Sequence, residues 1–269
     1  MDLCFAPLFS GSSGNSVYVG CETGGLLVDA GVSGKRIIAA LQSIGVAPGR
    51  LGGIVVTHEH NDHINSVGIL SRKFDLPVYA TEGTWRGMID KIGPVALRNQ
   101  RVIEVGREFG VGELGVLPFA TPHDANEPVG FTFERFSARF TVATDIGCVR
   151  SSWLEFVRGS DAVLLEANYD PDMLTAGPYL YGLKQRILST KGHLSNDDSG
   201  KAATKLIEAG AKQILLGHLS KENNFPQLAE RSVKNILSME GIDPEKDVSI
   251  KIALRDGVTG FFAVKTEWT

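Results

Sequence analysis

Residues Ile54–Gly68 read IVVTHEHNDHINSVG, an apolar run that gives way to three histidines and an aspartate within six residues. The whole chain has six histidines, so half of them stand in this one segment. At this chain's His and Asp frequencies, an H-x-H-x-D-H pattern arises by chance roughly once or twice in ten thousand such sequences. A polar turn after a strand is therefore a poor account of it. His58 and His60, two apart, point to the same side of extended backbone and suit one shared metal ion. Asp62 and His63 follow where a helix is expected to begin, displaced enough to serve a second ion. Neutral imidazole and carboxylate together suit zinc, manganese or iron.

The other three histidines sit beside apolar runs, where a strand end meets a loop. GVLPFATPHDAN carries His123, ILLGHLSKENN carries His218, and STKGHLSNDDS places His193 in a Gly/Ser-flanked loop before a helix. Two aspartates share the pattern: Asp145 in FTVATDIGC and Asp29 in LLVDAG. Strand ends gathered on one rim of a sheet are where binding sites form. The expected assignment puts His58, His60 and His123 on a first ion, and Asp62, His63 and His218 on a second. Asp145 bridges them, across the roughly 3.5–4 Å that separates paired ions in dimetal hydrolases.

The 269 residues are 43% hydrophobic and 22% charged, as expected of a folded chain with a substantial core. No apolar run approaches a membrane span, and the N-terminus lacks the pattern of a secretion signal. Three cysteines, Cys4, Cys21 and Cys148, are widely spaced with no C-x-x-C pair, which fits free thiols in the cytoplasm. A net charge of −4 argues against a broad nucleic-acid-binding face but leaves room for a local basic track.

No linker or low-complexity stretch divides the chain, so residues 1–269 are expected to form one domain. Strands are expected at Leu3–Leu8, Ser16–Cys21, Gly25–Asp29 and Gly53–Thr57, with a helix from Ser33 whose stripe is Ile37, Ile38, Leu41 and Ile44. One helix is expected from about His63 to Phe74, and another around Glu82–Ile92. Strands follow at Pro77–Ala80, Arg101–Val105, Leu114–Thr121, Gly130–Phe136 and Arg139–Thr144. The last third alternates helix and strand: Ser151–Val157, Asp161–Glu166, Asn196–Glu208, Lys212–Leu216 and Pro226–Met239. It closes in a hairpin of Val248–Leu254 and Thr259–Val264 around Asp256-Gly257. The fold class is α/β, an αββα sandwich of two sheets flanked by helices.

THEHNDH, His123, Asp145 and His218, with Asp29 upstream, resemble the motifs of the metallo-β-lactamase-fold hydrolases. The resemblance covers nearly the whole chain. It implies the αββα fold and a dimetal site, and makes Asp29 a carboxylate that supports a metal-bound histidine. Glu166 followed by His193 in G-H-L-S-N is similar to the Glu and His pair of the transfer-RNA 3′-processing endonucleases. LFSGSSGNS near the start, L-K-Q-R-I before G-H-L-S-N, and GHLSKENN near the end resemble the WalJ/YycJ-type exonucleases. One departure is that Tyr179-Leu180 stands where that group has Tyr-Pro.

The resemblance implies a metal-dependent phosphodiesterase, most directly a 5′→3′ DNA exonuclease. Alternatives are a transfer-RNA-type endoribonuclease, which lacks support because no Gly/Pro-rich arm is present, and a small-molecule hydrolase of the same fold. Asp62, Glu166 and His193 form the expected catalytic set. A histidine held by a carboxylate suits protonation of a leaving alkoxide. Lys184, Arg186 and Lys191 form a basic cluster that serves either phosphate contacts or a solvated loop. The turn from Ser10 to Asn15 offers Ser13, Asn15 and backbone amides to an anion, or simply joins two strands.

Overall fold

The computed structural model describes residues 3–264. Fourteen strands form two sheets of seven among the described residues. The chain opens with β1 (Leu3–Phe9), β2 (Ser16–Cys21), β3 (Gly24–Val28), α1 (Gly34–Ser43) and β4 (Leu51–Val55). Next come α2 (Asn61–Ile64), α3 (Val67–Phe74), β5 (Val78–Ala80), α4 (Glu82–Ile92) and β6 (Gln100–Val102). The middle contributes β7 (Phe109–Val111), β8 (Leu114–Ala120), β9 (Val129–Arg135), β10 (Ala138–Ala143), α5 (Ser151–Val157) and β11 (Ala162–Glu166). It ends with α6 (Pro171–Ala176), α7 (Tyr181–Leu188), α8 (Asn196–Glu208), β12 (Gln213–Gly217), α9 (Pro226–Met239), β13 (Ser249–Ile252) and β14 (Phe262–Val264).

The first sheet runs β14-β1-β2-β3-β4-β5-β6 and the second β13-β12-β11-β10-β9-β8-β7. The period-two alternation of strands decides which side chains meet. In β1, Leu3 and Phe5 turn towards the second sheet, while Cys4, Ala6 and Leu8 face the helices α1, α3 and α4. Phe5 stacks on Phe140 of β10 with ring centroids 3.9 Å apart, joining the two sheets at the centre. A third apolar layer, with Trp153, Ala203 and Val233, lies between the second sheet and α5, α8 and α9. This is the expected αββα sandwich. No helix of the described chain is long and apolar enough to cross a membrane.

Three expectations need correction. The helix expected from His63 to Phe74 is two helices, with a break at Asn65-Ser66 where the Ser66 N–H bonds to the Ala30 carbonyl. The closing hairpin does not form: β13 pairs with β12 in the second sheet, whereas β14 pairs with β1 in the first. The Asp256-Gly257 turn instead carries the chain between sheets, fastened by Thr259 N–H to Pro7 O and Ser10 N–H to Leu254 O. Helices α6 and α7 also occupy a stretch for which the sequence predicts no element.

Candidate metal centre

The six histidines and Asp145 meet on one rim of the sandwich, at the ends of strands from both sheets. β4 delivers His58 and His60, α2 delivers Asp62 and His63, β8 leads to His123, β10 to Asp145, and β12 to His218. His60 is the residue before α2, so the turn into that helix separates His58 and His60 from Asp62 and His63. Asp29, Asp145 and His218 all follow strands and all adopt left-handed backbone, with φ of 60°, 58° and 55°. Non-glycine residues rarely hold that conformation. Its recurrence at three strand ends aimed at one point marks a place where fold stability is spent on geometry.

Each ring presents one nitrogen to the centre while its other nitrogen is commonly held from behind. His63 Nδ1 lies 2.8 Å from Asp29 Oδ2, and Asp29 also accepts the Thr57 N–H and hydroxyl at 2.8 Å each. His58 Nδ1 lies 3.0 Å from the Thr57 hydroxyl. His123 Nδ1 donates to Gly192 O at 3.0 Å, and His218 Nδ1 to Asn15 Oδ1 at 3.2 Å. These contacts fix ring orientation and leave Nε2 of all four facing inward.

The inward atoms form two lobes. His58 Nε2 is 3.0 Å from His60 Nδ1, which is 3.4 Å from His123 Nε2. Nitrogens bound to one tetrahedral ion at the usual zinc–nitrogen distance stand about 3.3 Å apart, so this spacing fits a cation. In the second lobe His63 Nε2 lies 3.5 Å from Asp62 Oδ2, and His218 shares the same cluster. Asp145 lies between them, with Oδ1 3.7 Å from His123 Nε2 and 3.4 Å from His218 Nε2, and Oδ2 3.4 Å from His63 Nε2. Asp145 Oδ2 is buried and accepts no hydrogen bond among the described residues. A buried, unpartnered carboxylate oxygen ringed by imidazoles suits a divalent ion.

The electrostatics agree. Burial opposes ionisation of Asp145, yet His218, His63, His58 and His123 hold its carboxyl well below the usual range. Burial pushes His58 and His60 down, towards the neutral form that binds metal, and burial lowers His218 likewise. His63 is the exception. Burial would lower it, but Asp145, Asp29 and Asp62 raise it to about 10.

Beside the two lobes stands a separate pair. Glu166, fully buried at the end of β11, places Oε1 2.7 Å from His193 Nδ1. Its Oε2 accepts the Ile146 N–H at 2.8 Å and the Leu194 N–H at 3.3 Å. Both carboxylate oxygens are engaged by these contacts, and Glu166 also lies near Asp145, His193 and His218 in a group that could hold an ion. Burial opposes the charged ring of His193, but Glu166 raises it to about 9.

The residues expected to contact substrate separate into different places. Arg186 bonds through Nε to Asp124 Oδ2, beside His123. Lys184 turns away and donates from Nζ to Thr175 O at 2.6 Å. Lys191 is exposed, as is Ser13. Asn15, expected to face an anion, is instead buried between the lobe's histidines: Nδ2 lies 3.1 Å from His63 Nε2 while Oδ1 takes His218. Four contributors escaped sequence reasoning, namely Thr57, Asn15 as a histidine support, Asp124 and Glu59. Glu59 Oε1 accepts the Asn126 N–H at 2.8 Å and so ties the His58–His60 turn to the His123 loop. The adjacency of Asp124 to His123 and of Glu59 to both turn histidines was the available signal.

The family model that matches residues 25–219 is the beta-lactamase superfamily domain. The chain belongs to that superfamily. Its relatives there include exodeoxyribonuclease YycJ of Bacillus anthracis, 40% identical over 241 residues, covering 90% of this chain and 91% of the relative. Exodeoxyribonuclease WalJ of Streptococcus pneumoniae is 40% identical over 248 residues, covering 91% and 92%. Among solved structures, the metallo-beta-lactamase fold protein YhfI from Bacillus subtilis superposes with a TM-score of 0.74 at 17% identity, covering 97% of this chain and 99% of that one. Divalent-metal binding is the property this superfamily member's donor set fits.

Proposed function

We propose that this chain is a metal-dependent exodeoxyribonuclease that works as a single domain in the cytoplasm, uses two divalent ions (zinc or manganese, with iron acceptable), and degrades DNA from the 5′ end. The observation that carries the reading is the meeting of two candidate ligand lobes sharing Asp145 with the pair formed by buried Glu166 and part-exposed His193. Relatives named exodeoxyribonucleases, alike over nearly their whole length, support DNA as the substrate class. DNA is favoured over RNA on the same ground.

His58, His60 and His123 would hold one ion, and Asp62, His63 and His218 the other, with Asp145 common to both. Bound there, the ions supply an activated water at neutral pH and offset the charge of the phosphodiester. The protein's own groups do the rest. Asp29 and Thr57 lock His63 and His58 in place, and Asn15 does the same for His218. Asp62, at the start of α2, would serve both as a ligand and as a catalytic carboxylate beside His63. His193, kept protonated by Glu166, stands ready to give its Nε2 proton to the departing 3′-oxygen. Transfer restores a neutral alcohol and leaves a neutral imidazole still held by the carboxylate.

The test is a panel of end-labelled DNA and RNA strands given to protein loaded with Mn²⁺ or Zn²⁺. The reading predicts mononucleotides released from DNA, starting at the 5′ end. Cleavage of RNA alone, or an internal cut, overturns it.

A further inference from the structure

We infer that Asp124 is a positioning residue that aims the Arg186 guanidinium at a phosphate oxyanion of the bound strand. The inference rests on the nuclease reading above and adds a residue to it. Asp124 follows His123 directly, and its carboxylate faces two ways. Oδ1 lies 3.4 Å from His123 Nε2 and is buried with no hydrogen-bond partner among the described residues. Oδ2 accepts from Arg186 Nε, drawing the last turn of α7 to the mouth of the centre.

That leaves the terminal guanidinium nitrogens of Arg186 without a partner among the described residues, on a side chain about half exposed. Arginine recognises phosphate through paired N–H groups at one edge. With Nε occupied, the edge formed by the two terminal nitrogens is the one left to a ligand. The loop after α7 is anchored independently. His193 N–H bonds to Ile187 O, and Gly192 O takes His123 Nδ1–H. A Cβ on Gly192 would stand 2.1 Å from Ile187 O, so that loop packs too closely to accept any larger residue. Arg186 therefore rests on fixed backbone, and Asp124 is what determines where its free edge points.

The two lysines of the basic cluster do not share this placement. Lys184 is turned back to Thr175, and Lys191 lies on the exposed surface with no side-chain contact to the centre. One arginine, held by one aspartate, is the phosphate contact that the geometry supports. The Asp124 charge sets a second requirement. Without Arg186 its carboxylate would face the strand uncompensated, so removing the arginine alone should cost more than removing both.

The experiment uses the full chain, depleted of metal so that no strand is cut. Binding of a 3′-fluorescent single-stranded oligonucleotide is followed by anisotropy, in 5′-phosphate and 5′-hydroxyl forms. Arg186→Ala should weaken binding about tenfold, the worth of a charge-assisted phosphate contact. Asp124→Ala should weaken it to a similar extent, and Asp124→Asn, which keeps an acceptor for Nε, should recover most of the loss. Asp124→Asn/Arg186→Ala should bind better than Arg186→Ala alone. Losses confined to the 5′-phosphate form assign a terminal phosphate, and equal losses in both forms an internal one. In metal-loaded protein, Asp124→Ala should raise KM with kcat little changed, the pattern of uniform binding, and should keep its metal content.

Asp124→Ala binding like wild type, no recovery in Asp124→Asn, or metal lost from Asp124→Ala would each overturn the inference. Failure of the wild type to hydrolyse DNA would count against the nuclease reading instead, since the binding measurements need no turnover.

Discussion

Glu166 Oε1 lies 2.7 Å from His193 Nδ1, and the carboxylate that makes this contact is completely buried. The pair is fixed from the far side as well, because Oε2 is taken by two backbone N–H groups of the segments beginning at Ile146 and Leu194. In the proposed mechanism this sets a proton donor at a fixed place outside the proposed ligand set. Roles that many hydrolases merge are separable here by mutation.

His193→Ala should leave metal content intact and slow DNA hydrolysis by a factor on the order of 10²–10⁴, the usual worth of general acid–base catalysis. His60→Ala should lose metal and activity together. Elemental analysis beside turnover measurements distinguishes the two. Metal lost from His193→Ala would make His193 a ligand.

The pH profile should follow the same pair. A general acid works only while protonated, and Glu166 raises His193 from the ordinary 6.5 to about 9 against the opposing effect of burial. Activity dependent on that proton therefore persists above neutrality and falls as pH rises through the raised value. Glu166→Gln removes the charge that raises it, so the alkaline limb of kcat should move to lower pH. An unmoved limb would mean that another group titrates there.

Asn15→Ala should weaken the second lobe more than the first, because Asn15 Oδ1 holds His218 Nδ1 and nothing in the first lobe. Loss of such a supporting contact typically costs about 10–100-fold in metal affinity. Calorimetric titration with Zn²⁺ should give one unchanged and one weakened binding event. Equal weakening of both would show that Asn15 acts on the whole rim.

Gly31→Ala tests how the rim is assembled. A Cβ there would stand 1.6 Å from the Asp62 carbonyl oxygen, and the Gly31 N–H already bonds to Asn15 O. The backbone carrying Asp62 must shift, with a destabilisation of roughly 1–3 kcal/mol, the range for overpacking. Thermal melting of the metal-depleted protein measures it. A melting temperature equal to wild type would mean the contact yields without cost.

Much of the centre was legible because its chemistry is concentrated. Four of the proposed ligands fall within six residues, and His123, Asp145 and His218 each follow an apolar run that reads as a strand. What holds those ligands was not legible. Asn15 and His218 are 203 residues apart and meet only because two sheets pack face to face. Thr57 and Asp124 are ordinary loop residues until the fold puts them against imidazole rings. The closing strands failed for a related reason: an Asp-Gly turn between alternating segments reads as a hairpin locally, but β12 and β1 each offered a better ladder. The left-handed backbone of Asp145 and His218 is only weakly marked by residue type, since Asp and His adopt it more readily than most but still seldom.

The most direct measurement is the number of divalent ions per chain, taken under metal-replete conditions on wild type and Asp145→Ala. Asp145 lies within 3.4–3.7 Å of ligand atoms in both lobes, so one carboxylate should serve two ions. The account predicts close to two ions in the wild type and lowered occupancy of both sites in Asp145→Ala. A single ion per wild-type chain would contradict it.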